Sequence, residues 1–330
     1  MGQWDRKKHG GWRKPAGRRQ ARKEPRATLS AALGEFILYM RDERQASPHT
    51  LIAYERDLLR FAAGLHDGRR APELDSVTAE DVRAHMRALF DRGLAKSTVR
   101  RAMYVVSSFF GWAYRWELIG SNPAARVTVP RRSRVHEVHA LSARERALMI
   151  AAADRLARES RRRLDKQAPL MVRLFLKTGI RRGELLGLRW QDVGLERREL
   201  FVRYGKGDKS RTVPIESKEL LAHLAQAREA RARTAADYQT SPVIVGMQGK
   251  HLPETTFYRI FRRVLAVAEL EGLRITPHVL RHTFGSVLCA RGVPVPYVKD
   301  LLGHEDIAST MIYVHTTPSG LRAAVRRLDE

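Results

Sequence analysis

Residues 276–315 read TPHVLRHTFGSVLCARGVPVPYVKDLLGHEDIASTMIYVH and gather His278, Arg281, His304 and Tyr313 at close spacing. His278 and Arg281 are three apart, so on a helix they share a face. Taken alone the pair says little. With 49 arginines and 12 histidines in 330 residues, about two His-x-x-Arg pairs arise by chance, and His66 with Arg69, assigned to the surface, is a second. What distinguishes the first is its setting: Thr-Pro-His-x-x-Arg-His, then Leu-Leu-Gly-His at 301–304, then Tyr313 nine residues later. The stretch has no Cys/His metal spacing and no glycine-rich phosphate loop. It offers guanidinium, imidazole and phenol.

Upstream, TGIRRGELLGL at 178–188 places Gly179 where a tight turn precedes a new helix. Arg181 falls near that helix's N-terminus, with Glu184 within reach three residues on. The carboxylate either fixes the guanidinium in one orientation or forms an ordinary surface ion pair. Leu200–Tyr204 and Arg211–Ile215 read as short strands around Gly205-Lys206-Gly207-Asp208, a hairpin turn. Lys206 then sits at the tip, facing a substrate or plain solvent. Ser142 with Glu145 forms a capping box and opens a helix over 142–158. Further helices are expected over about 168–178, 217–233 and 254–270, with an apolar run at 243–245.

The N-terminal half reads as helical throughout. Leu29, Leu33, Phe36, Ile37 and Met40 recur at three- and four-residue intervals. Ser47-Pro48 is a cap followed by proline at the first helical position and opens a second helix. A third begins near Thr78, with Asp81 three residues on, and runs to Arg92-Gly93. A fourth begins near Ser97 and is stopped by Gly120-Ser121-Asn122-Pro123. Residues 28–120 thus form a four-helix unit. On it, Lys96, Arg100, Arg101 and Arg115 face either DNA or solvent. Residues 121–140, rich in Pro, Arg and Val, read as a linker to a second domain over 141–318.

The chain carries a net charge of +25, which points to a polyanionic partner, nucleic acid first. Residues 1–27 hold ten basic and two acidic residues and are expected to be a disordered arm, contacting DNA phosphates or simply solvated. One cysteine, Cys289, excludes an intramolecular disulfide and sits in an apolar run, where a buried inert thiol is expected. No stretch approaches the roughly 20 apolar residues of a membrane span, and the basic N-terminus lacks the apolar segment of a secretory signal. A cytoplasmic, nucleoid-associated protein is expected.

Four stretches, TGIRRGELLGLRW (178–190), GKGDKSRTVPI (205–215), TPHVLRHTF (276–284) and LLGHEDIASTMIYVH (301–315), occur in the order of the tyrosine recombinase (phage integrase) family, and the chain resembles its Xer-like branch. SPHTLIAYERDL (47–58) and KSTVRRAMYVVSSFFGWAYRW (96–116) resemble that family's core-binding domain. The resemblance spans residues 28–318 and implies a mainly α fold with a small β-sheet (α+β). A four-helix core-binding (SAM-like) domain and a catalytic domain would form a C-shaped clamp around DNA. It further implies Arg181, Lys206, His278, Arg281 and His304 as catalytic residues, Tyr313 as nucleophile, and no metal or ATP. A terminal helix over 319–330, with Leu321, Val325 and Leu328 on one face, would dock on a neighbouring protomer. The partners implied are double-stranded DNA, a homo- or hetero-tetramer on two sites, and a second recombinase subunit or accessory protein.

Chemistry agrees with these roles. Cleaving a phosphodiester builds charge on its non-bridging oxygens, which paired guanidiniums such as Arg181 and Arg281 bind in a fork. A phenol of ordinary pKa about 10 needs a base or a strongly positive site, and His278 is the candidate acceptor. Lys206 is the candidate acid for the leaving 5′-oxygen, and His304 would hydrogen-bond the phosphate. Two rivals stay open: a type IB topoisomerase-like enzyme with the same chemistry, and a non-catalytic DNA-binding protein on the same scaffold.

Overall fold

The computed structural model describes residues 28–65, 72–130, 140–203, 210–304, 306 and 308–311. The basic arm, the His66/Arg69 pair, the turn carrying Lys206, Tyr313 and the expected C-terminal helix lie outside the described residues. The chain divides into two compact units, Met1–Val135 and His136–Glu330.

The first unit is built from α1 (Leu29–Asp42), α2 (Pro48–Gly64), α3 (Ala79–Asp91) and α4 (Lys96–Arg115). The helix starts are chemical. The side chains of Thr28 and Ser47 accept from Ala31 N and Thr50 N, and Thr78 with Asp81 closes a reciprocal capping box. Val99, Met103, Val106, Phe109, Phe110 and Ala113 give α4 a wholly buried stripe. Phe109 meets Phe36 edge-on at 5.6 Å and Phe110 at 4.9 Å, pairs that add about 0.5–1.5 kcal/mol each beyond burial. The helix ends at Arg115, not at the Gly120 cluster: Glu117 takes a left-handed φ of 59°, and Leu118 N bonds back to Ala113 O at 2.9 Å. Buried Ile119 draws the chain back onto the core, and Ala124 and Val127, from the stretch read as linker, are buried there too.

The second unit packs α5 (Ala143–Glu159), α6 (Ala168–Thr178), α9 (Glu254–Val267) and α10 (Pro277–Ala290) around one core. Beside it lie α7 (Arg182–Gly187), α8 (Lys218–Ala232), α11 (Val295–Leu302), α12 (Ala308–Met311) and an antiparallel sheet. Its strands run β1 (Val193–Gly194), β2 (Glu199–Val202), β3 (Arg211–Pro214), with Leu200 opposite Val213. The fold is therefore mainly α with a small sheet. Arg173, 3% exposed, donates in a fork to Asp154 at 2.8 Å and to Glu219, fixing α6 against α5 and the start of α8. Thr283 accepts from Leu141 N at 2.9 Å, which locks α10 to the entry of α5. Cys289 is half-buried, not fully buried as expected, because its face of α10 meets only the small cluster around Val298 and Leu302. Burial still pushes its thiol pKa up, as suits an inert cysteine.

Candidate active site

Two glycines shape this site. Gly179 closes α6 and Gly303 closes α11, each at a φ of 62°. A Cβ on Gly179 would lie 2.3 Å from Phe284 Cδ1, and one on Gly303 would lie 3.0 Å from the Arg211 guanidinium. Backbone sign and space thus both demand glycine. Helix C-termini present carbonyls with partial negative charge, which favour cations. Arg281 uses two of them: Nη1 donates to Gly179 O at 2.7 Å and Nη2 to Leu302 O. Arg181 Nη2 donates to Gly303 O at 2.6 Å. Arg281 is 1% exposed and Arg181 28%, so Arg181 is the more accessible of the two.

Glu184 sits at the centre, 6% exposed. It accepts from Arg181 N at 2.7 Å, Arg181 Nη1 at 2.8 Å, and Arg211 Nη1 and Nη2 at 2.9 and 2.8 Å. Arg281 Nη1 stands 4.0 Å away. Burial by itself would raise the Glu184 pKa. Hydrogen bonds and charge from Arg211, then Arg181, outweigh it and hold the carboxyl at about 2. Of the adjacent arginines, Arg181 turns to this carboxylate. Arg182 turns to α9, where it pairs with Glu254 at 2.7 Å and bonds the Tyr258 hydroxyl.

The α10 cap Thr276 accepts from Val279 N, so the helix begins one residue before His278. His278 is exposed and meets buried His282 edge-on at 6.0 Å. Desolvation by the surrounding protein, then the charges of Arg281 and Arg181, lower its pKa. His304 Nδ1 lies 2.9 Å from Thr310 Oγ1, a buried hydroxyl on α12. Burial, then Arg281 and Arg181 with smaller contributions from His278 and His282, bring the His304 pKa down to about 4. Both imidazoles are therefore neutral near pH 7 in the protein without substrate.

A pH dependence follows. An unfolded imidazole protonates near 6.5, whereas folded His304 does so near 4, so between those values the unfolded state binds more protons. Stability is then lost as pH falls through that window. His304→Asn is expected to flatten the loss, read as urea midpoints measured from neutral pH to about pH 4. An unchanged slope would contradict the burial and charge environment described.

The structure thus brings together Arg181, Glu184, His278, Arg281 and His304. Lys206 and Tyr313 lie outside the described residues. Their nearest participating chain neighbours are Arg211, which contacts Glu184, and Thr310, which contacts His304. Lys96, Arg100, Arg101 and Arg115 fall on the side of α4 opposite its buried stripe, which also exposes Tyr104. Arg100 is half-buried, and Arg101 pairs with the buried Asp57 at 3.2 Å. Sequence reasoning passed over Arg211 and Thr310. The first sat in plain view within GKGDKSRTVPI, but its partner is 27 residues upstream, beyond any local spacing rule. Among the described residues no group of three or more His, Cys, Asp or Glu is placed to hold a metal ion, and no helix is long and apolar enough to cross a membrane.

Three guanidiniums around one fixed carboxylate, with two neutral imidazoles close by, suit an anion with delocalised charge, such as a phosphodiester. Comparison with known proteins agrees. Residues 141–319 match the phage integrase family, and residues 33–117 match the phage integrase N-terminal SAM-like domain. Tyrosine recombinase XerC of Mycobacterium sp. (strain KMS) is 33% identical over 296 residues, covering 89% of this chain and 97% of that protein. Tyrosine recombinase XerD of Rhizobium meliloti (strain 1021) is 32% identical over 305 residues, covering 90% and 95%. The Tn1549 transposon integrase, solved in complex with a circular intermediate DNA, shares the fold with a TM-score of 0.73 at 19% identity, over 91% of this chain and 99% of that one. The guanidinium cluster, the two matched domains and these relatives together place the chain in the phage integrase family, as a tyrosine site-specific recombinase.

Proposed function

We propose that this recombinase cuts duplex DNA through Tyr313 and rejoins it to a new partner strand. The observation that supports this most is the pairing of Arg181 and Arg281, each held by a carbonyl at a glycine turn around Glu184. Their direction is set before substrate arrives, which is what electrostatic stabilisation of a phosphorane-like transition state requires. In the proposed step the Tyr313 oxygen attacks phosphorus and its proton passes to His278. The bond from phosphorus to the 5′-oxygen breaks, and that oxygen takes a proton from Lys206. His304, as a neutral imidazole, donates its ring N–H to the scissile phosphate without change of protonation. The product is a 3′-phosphotyrosyl enzyme and a free 5′-hydroxyl. Attack by a second strand's 5′-hydroxyl reverses the step, so bond energy is kept and ATP is not required.

Strand exchange through a Holliday junction would then proceed on two DNA sites in a tetramer. Relatives named both XerC and XerD support a second recombinase subunit as a candidate partner. The α4 face carrying Lys96, Arg100, Arg101 and Arg115 would contact DNA phosphates, and the protein would act at the nucleoid. The test mixes two labelled duplexes bearing the target site with the protein, in EDTA and without ATP. Exchanged products are expected. Relaxation of supercoiled DNA without exchange would favour the topoisomerase-like reading, and binding with neither reaction would favour a DNA-binding protein.

A further inference from the structure

Arg211 holds the carboxylate that holds Arg181. We propose that Arg211 is a positioning residue that keeps the Arg181–Arg281 pair available to the substrate phosphate by occupying Glu184. The inference rests on the phosphodiester-cleaving reading of the site and extends it to a residue outside the expected catalytic set.

Charge and geometry carry it. Glu184 has a carboxylate of low pKa, fixed among three guanidiniums. A carboxylate and a phosphate compete for the same fork of N–H groups. Arg211 presents both Nη atoms to the two carboxylate oxygens at 2.9 and 2.8 Å, which fills the bidentate position. Arg181 gives Glu184 only one side-chain N–H, and its other Nη goes to Gly303 O. Without Arg211, the carboxylate is left with Arg181 as its close partner and Arg281 4.0 Å away. It would then close on one of them and withdraw that guanidinium from the phosphate.

The same side chain is also a mechanical tie. Arg211 opens β3, Nε donates to Leu301 O at 2.9 Å, and its guanidinium packs so close to Gly303 that a Cβ there would lie 3.0 Å from it. It joins β3, α7 and the end of α11 that leads into His304. At 10% exposure it lies beneath the surface offered by Arg181, which fits a residue acting through others.

The experiment uses the full-length protein on a nicked suicide duplex, with the single-turnover rate of covalent adduct formation and native-gel affinity as readouts. Arg211→Gln is expected to slow adduct formation on the order of 10²-fold and to change affinity by less than about threefold, since many phosphate contacts lie elsewhere. Arg211→Lys restores only part of the rate, because lysine returns the charge without the fork. The deciding variant is Glu184→Gln/Arg211→Gln. With the competing carboxylate gone, it should fall within a few-fold of Glu184→Gln alone. A full repeat of the Arg211→Gln loss on the Glu184→Gln background would overturn the proposal, as would wild-type rates in Arg211→Gln. Should Arg211→Gln lose its cooperative melting transition, the double variant, which removes both members of the Glu184–Arg211 pair, and Arg211→Lys carry the comparison. Wild-type protein in the same gel separates the two readings: no adduct from it counts against the proposed function and not against the role of Arg211.

Discussion

Replacing Arg281 by lysine is expected to lower the single-turnover cleavage rate on the order of 10³-fold, although charge is conserved. The reason is the way the guanidinium is held. Arg281 is 1% exposed and donates through separate Nη atoms to Gly179 O and to Leu302 O, at the ends of two different helices. An ammonium on a flexible stem cannot reach both carbonyls and still present a planar edge to a phosphate. Each acceptor left without its donor also costs about 1–3 kcal/mol, so a fall in the urea midpoint should accompany the loss of rate. DNA affinity should change far less, because a chain of net charge +25 has many other cations for the backbone. A variant that cleaves within tenfold of wild type would remove Arg281 from the phosphate clamp.

The second large effect concerns one oxygen atom. Tyr313→Phe is expected to abolish covalent adduct formation while leaving DNA affinity within about twofold. Phenylalanine keeps the aromatic ring and deletes only the hydroxyl proposed as nucleophile. No other hydroxyl is proposed to take its place: Thr310, close in sequence, already bonds His304 and is buried. An ordinary phenol stays protonated near neutral pH, so attack depends on a positive, desolvated setting. The lowered pKa values of His278 and His304 report such a setting, with Arg281 and Arg181 as its charged sources.

Much of this fold was legible because its helix starts are chemical. Ser47, Thr78, Ser142 and Ser217 each accept from a backbone N–H where the sequence placed a helix start. Helix ends were harder. The fourth helix stops at Arg115 and the helix expected to reach residue 270 stops at Val267. In both places a glutamate, Glu117 or Glu269, takes the left-handed turn usually given to glycine. No local signal marks such a residue, because later buried side chains, Ile119 and Leu270, impose the turn. Strand β1, two residues long, has no pattern to read.

The site divides along the same line. Arg181 with Glu184, and His278 with Arg281, were visible because each pair lies within one helical turn. Arg211 and Thr310 were not, because their partners come from other elements. The two glycine carbonyls that aim the arginines could not be read from side-chain spacing at all, since the acceptors are backbone atoms.

The most direct test of the tyrosine mechanism is a trap on nicked suicide DNA bearing the target site, with wild-type protein and Tyr313→Phe, in EDTA and without ATP, resolved on a denaturing gel. A protein–DNA adduct with wild type alone is the predicted result, and its digestion should leave the label on a peptide containing Tyr313. An adduct of equal yield with Tyr313→Phe, or none with wild type despite a clear shift on a native gel, would contradict the mechanism.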